Sequence, residues 1–134
     1  MKAISTRTSG ETYGHRIDIR QHQLTADEPT DQGGGDEGPT PQELLAASLA
    51  GCVAITMEMY AERKGWTLGE LAVECSYEQA ERGQPTAVTL ILRVPEGLNP
   101  EQVERLSTIA ARCPVHRTLE GEVVFDQRVE LDGR

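Results

Sequence analysis

The residues of this 134-residue chain best suited to chemistry are its three cysteines, Cys52, Cys75 and Cys113, with His116 three positions beyond the last. The thiolate is the reactive form of cysteine, so each is judged by what its surroundings do to that charge. Cys52 lies in a run of apolar and small residues and, taken alone, reads as packed core. Cys113 precedes Pro114, which disfavours helical geometry at the residue before it. It is therefore expected to cap the next helical turn, where unpaired backbone N–H groups and the positive end of the dipole favour a thiolate. Cys75 shares one face of an alternating segment with Leu71, Val73 and Tyr77 and reads as inert packing. Cys113 and His116 have the spacing of half a metal site, but His15 and His22 are in distant strands and no second pair has ligand spacing. No metal and no cofactor is expected.

Local signals define the elements that must position these residues. Thr40-Pro41-Gln42-Glu43 opens a helix, with Thr40 as N-cap, Pro41 at the first helical position and Glu43 closing a capping box. The helix is expected to run to about Lys64 and stop at Gly65, with Arg63 and Lys64 suiting its negative end. From Leu44 to Tyr60 nearly every position is apolar or small, so no polar face is left, and the helix is expected at the centre of the molecule or of a dimer. Asn99 and Pro100 open a second helix, with Val103, Leu106, Ile109 and Ala110 on its apolar face.

Residues 2–26 read as two or three short antiparallel strands, residues 71–78 and 86–94 as a hairpin, and residues 122–131 as a last strand. Asp27 to Pro39 is rich in Gly, Pro and acid and reads as a mobile loop. It is not expected to cradle phosphate, because no Lys follows its glycines. The order β, β, α, β, β, α, β predicts one α+β domain over 1–134, with antiparallel sheets, a long buried central helix and a second helix.

Thirteen basic residues against 22 acidic ones give a net charge of −9, which argues against nucleic acid or a membrane surface as partner. Met1 to Arg7 carries no apolar segment, and no stretch approaches the roughly 20 apolar residues of a spanning helix. A cytoplasmic location is expected. An odd number of cysteines without a secretory signal argues against a structural disulfide framework, so any disulfide here is expected to be catalytic. With one Phe and one Trp, part of the core is expected to be completed by a partner subunit.

The run from Gly38 through Thr40-Pro41-Gln42-Glu43-Leu44-Leu45 to Gly51-Cys52, followed 61 residues later by Cys113-Pro114-Val115-His116-Arg117, resembles the OsmC/Ohr family. The resemblance extends to Asp27-Glu28-Pro29 before the helix and to Arg63-Lys64-Gly65-Trp66 after it. It implies an intertwined homodimer with active sites at the subunit interface, and a thiol-dependent peroxidase that reduces organic hydroperoxides. Cys52 would attack the peroxide and Cys113 would resolve the sulfenic acid as a disulfide, which an external dithiol reopens.

The family's reductases carry a Glu directly after the helix Pro, paired with an arginine from an early strand. Here that position is Gln42 and the carboxylate is Glu43, which is taken as the catalytic acid although the capping box also claims it. Arg16, Arg20 and Arg117 are all candidates for the arginine. The alternative is a non-catalytic dimeric redox sensor or ligand-binding protein of the same fold.

Overall fold

The computed structural model describes residues 1–131. By its contacts the chain divides into two compact units, residues 1–48 with 75–88, and residues 49–74 with the chain from Thr89 onward.

The first unit begins with an antiparallel sheet of β1 (Ile4–Arg7), β2 (His15–Ile19) and β3 (His22–Ala26), in that order. Its register pairs Ile4 with Asp18, Ile17 with Leu24 and Ile19 with His22. Ile17 and Ile19 are half-buried, as their alternation requires. Arg20 takes a left-handed conformation at φ 53° in the turn after β2, outside the strand that carries Arg16.

The Gly-rich segment after β3 is not the free loop that its composition predicts. Asp27 is only 2% exposed and holds the segment from within. Its Oδ1 accepts from the Glu28 N–H at 2.7 Å and its Oδ2 from the Glu37 N–H at 3.1 Å, while its own N–H donates to the Pro39 carbonyl at 3.1 Å. These backbone donors, Glu28 first and Glu37 second, hold the carboxyl below its ordinary pKa. Between the anchors lies a 3-10 turn, Thr30–Gln32. Gly34 is obligatory there, because a Cβ would fall 2.0 Å from the Glu28 carbonyl oxygen.

The helix α1 (Pro41–Lys64) has the predicted bounds. Glu43 N–H donates to Thr40 Oγ1 at 3.1 Å and Thr40 N–H to Glu43 Oε1 at 2.9 Å, completing the capping box, and Gly65 ends the helix at φ 72°. Leu49, Val53, Met57 and Ala61 form its buried stripe, each four residues from the last.

In the second unit these join Leu68 and the buried residues Leu106, Ile109 and Ala110 of α2 (Pro100–Ala110). Burial of each large side chain contributes about 1.5–3 kcal/mol. A second capping box, between Asn99 and Gln102, starts α2. The helix α3 (Pro114–Glu120) follows, and β4 (Ala72–Tyr77) and β5 (Val88–Arg93) form the expected two-stranded sheet.

A single chain covers only one face of α1, which leaves Ile55 55% and Met59 58% exposed. Two expectations are corrected. The helix α1 is by length and composition apolar enough to cross a membrane, contrary to the sequence reading, although its packed stripe is that of a core helix. Residues 122–131 form no strand. Their side chains, including Val124, Phe125 and Leu131, are open to solvent, since among the described residues no neighbouring strand completes their backbone ladder.

Candidate functional site

Cys113 is the N-cap of α3, with extended backbone at φ −65° and ψ 145° and Pro114 at the first helical position. Its Sγ accepts from the His116 N–H at 3.2 Å. The capping position was predicted to favour a thiolate, but the sulfur is fully buried, and burial pushes the thiol pKa up. The N–H groups of His116 and Val115 offset this only in part.

Cys52, half-buried on α1, neighbours the Cys113 thiol. That proximity raises the Cys113 pKa further, because two adjacent sulfurs resist carrying charge together. Both cysteines are free thiols. Cys52 flanks the buried stripe of α1. Of the residues at helical spacing from it, Leu49 is buried and Thr56 half-buried, while Leu45 and Met59 are exposed.

Glu43, the expected catalytic acid, is occupied by the helix start: the Thr40 N–H and then the Thr40 hydroxyl hold its carboxyl below the ordinary value. The Gln42 carbonyl accepts from the Tyr77 hydroxyl at 2.9 Å. Cys75 lines a 240 Å³ pocket with Gln42, Glu43, Ala46 and Tyr77. Along its strand Leu71, Val73, Cys75 and Tyr77 are half-buried and alternate with exposed neighbours, as predicted, and burial raises the Cys75 pKa.

Among the three candidate arginines, Arg16 is paired with Asp18 at 3.0 Å, Arg20 donates to Gln21 at 3.4 Å, and Arg117 is exposed on α3. The His116 Nδ1 lies 3.0 Å from Glu120 Oε1, and no group of three potential metal ligands occurs among the described residues.

Two features were missed from sequence. Asp27 was passed over as one acid among several in a loop. The Tyr60 cluster requires two helices to be brought together: Arg105 Nε donates to the Tyr60 hydroxyl at 2.9 Å, and Trp66 packs edge-on to the ring at 5.6 Å. Only the i, i+4 spacing of Tyr60 and Lys64 hinted at it, the Lys64 ammonium lying 5.6 Å from the ring centre.

The fold is shared with solved structures. An OsmC-like protein of Mycoplasma pneumoniae superposes with a TM-score of 0.70 at 19% identity, over 90% of this chain and 86% of that one. An organic hydroperoxide resistance protein of Elizabethkingia anophelis gives 0.68 at 22% identity, over 89% and 86%. The organic hydroperoxide resistance protein OhrB of Bacillus subtilis gives 0.63 at 21%, over 90% of each chain. No curated protein matches the chain by sequence. The family model described as OsmC-like protein matches residues 33–128, a span that contains both Cys52 and Cys113, and the chain belongs to that family.

Proposed function

We propose that the chain is a thiol-dependent peroxidase for organic hydroperoxides, with Cys52 and Cys113 as its redox pair. The observation that carries this reading is that two free thiols 61 residues apart in sequence become neighbours in the fold. The names of the Bacillus and Elizabethkingia proteins supply the substrate class.

In the proposed cycle the Cys52 thiolate attacks the peroxide, the O–O bond breaks, and the alkoxide leaves as alcohol after taking a proton. Cys52 is then a sulfenic acid. The Cys113 sulfur attacks it, forming the disulfide and releasing water. An external dithiol reduces that disulfide and is itself oxidised. A Cys113 thiol kept protonated by burial suits the later, resolving step. Glu43 enters as the residue that fixes the start of α1; a direct catalytic part for it is tested by Glu43→Gln, which keeps the shape and removes the charge.

The unit that acts is proposed to be a homodimer in the cytoplasm. The exposed apolar face of α1 and the unpaired 122–131 segment both call for a second copy to cover them. Sedimentation is expected to give a dimer at micromolar concentration, and a stable monomer would contradict it.

A redox sensor without turnover is favoured by one observation: Gln42, with no carboxylate, stands directly after the helix Pro. Sustained consumption of an alkyl hydroperoxide with dithiothreitol identifies the peroxidase. Oxidation that stops after one equivalent, with dithiol present, identifies the sensor.

A further inference from the structure

The second unit contains a 500 Å³ cleft lined by Arg63, Lys64, Arg105 and Arg112, with Tyr60 among them and Ile109 giving it an apolar wall. In a chain of net charge −9, four of the 13 basic residues gather here. Among the described residues the ion pairs are Arg16–Asp18, Arg93–Glu74, His116–Glu120 and Arg128–Glu130, so none of the four cleft cations has a carboxylate partner. Like charges held together without counterions raise the free energy of the site, and a bound anion lowers it. An adjoining 630 Å³ cleft shares Tyr60, Lys64 and Arg105 but also holds Glu101 and Glu104, so the preference for an anion belongs to the first.

The hydrogen bonding at Tyr60 sharpens this. Arg105 spends its Nε–H on the Tyr60 hydroxyl oxygen at 2.9 Å, which leaves the terminal N–H groups of its guanidinium free. The phenol, having accepted that bond, keeps its own O–H to donate. A guanidinium edge beside a phenolic donor matches an oxyanion, and the cleft volume falls within the range that holds small organic ligands.

We propose that this cleft binds a small organic molecule through an oxyanion, a carboxylate or a phosphate, with Arg105 and Arg112 as the charged clamp and Tyr60 as the neutral donor. The site uses neither thiol and stands whether or not the peroxidase reading does.

Trp66 is the single tryptophan of the chain and packs edge-on to Tyr60, so its fluorescence reports on the cleft. The reduced protein is titrated at constant ionic strength with octanoate, hexyl phosphate, inorganic phosphate and chloride. A saturable change with octanoate or hexyl phosphate is expected, and the better of the two identifies the oxyanion. Arg105→Gln and Arg112→Gln should each weaken it by about tenfold, the loss of one charge-assisted bond, while Arg117→Gln, outside the cleft, should not. Arg112 makes no side-chain hydrogen bond among the described residues, so its variant tests the site without disturbing Tyr60. Absence of a change with every probe, the same change in the arginine variants, or an equal response to chloride would overturn the proposal.

Discussion

The corner that holds Cys113 and the strand that holds Cys75 pose the same question and answer it differently. Burial raises the pKa of both thiols, so a shifted pKa does not distinguish them. What distinguishes them is company. Cys113 has the His116 N–H on its sulfur at 3.2 Å and a second thiol, Cys52, as its neighbour. Cys75 has the side chains of a half-buried strand face and a small pocket. A redox function requires a partner atom for the sulfur as well as an environment, and only the first corner supplies one.

The largest effect that could break this comparison is expected at Cys52. Cys52→Ser should reduce hydroperoxide consumption to the rate without protein, in a peroxide assay with dithiol present. Cys113→Ser should still consume one equivalent and accumulate a sulfenic acid that dimedone traps, since attack precedes resolution. If Cys52→Ser forms the trapped acid and Cys113→Ser is inert, the roles are reversed.

A smaller effect is expected at the base of the helix that carries Cys52. Thr40→Ala removes one half of the capping box and should lower the unfolding free energy by about 1 kcal/mol, read from urea denaturation. The buried Cys113 and half-buried Cys75 thiols should also leave a pH signature. Below the ordinary thiol pKa, folded and unfolded chains are both protonated and nothing is lost. Above it the unfolded thiols release protons that the folded ones keep, so stability should fall as pH rises through the window between the ordinary and raised values. Cys113→Ser and Cys75→Ser should each flatten part of that slope. The smallest effect is Cys75→Ser on turnover, which should leave the rate unchanged; a loss comparable to that of Cys113→Ser would erase the distinction between the two sites.

Features written in adjacent residues were legible in the sequence. The Thr40–Glu43 box, the Asn99 cap, the stop at Gly65 and the capping position of Cys113 all depend on neighbours within three or four positions, and all are present. Features that depend on distant or external partners were not. The Asp27 segment owes its order to an amide ten residues away, which its Gly-rich, acidic composition does not reveal. The 122–131 segment has the alternation of a strand, but pairing needs a neighbour that the single chain does not offer. The meeting of Cys52 with Cys113 came from resemblance to a family, since read one at a time their surroundings suggested a core residue and a helix cap. Glu43 shows the same limit in reverse: the local capping role was readable, whereas a catalytic one was borrowed from a neighbouring position.

The central claim, that Cys52 and Cys113 form the redox pair, is tested most directly by peptide mapping of the protein after one equivalent of an alkyl hydroperoxide. A single disulfide joining the Cys52 peptide to the Cys113 peptide is expected, with Cys75 recovered as a free thiol. A bond that includes Cys75, or oxidation that leaves Cys52 and Cys113 unlinked, would contradict it.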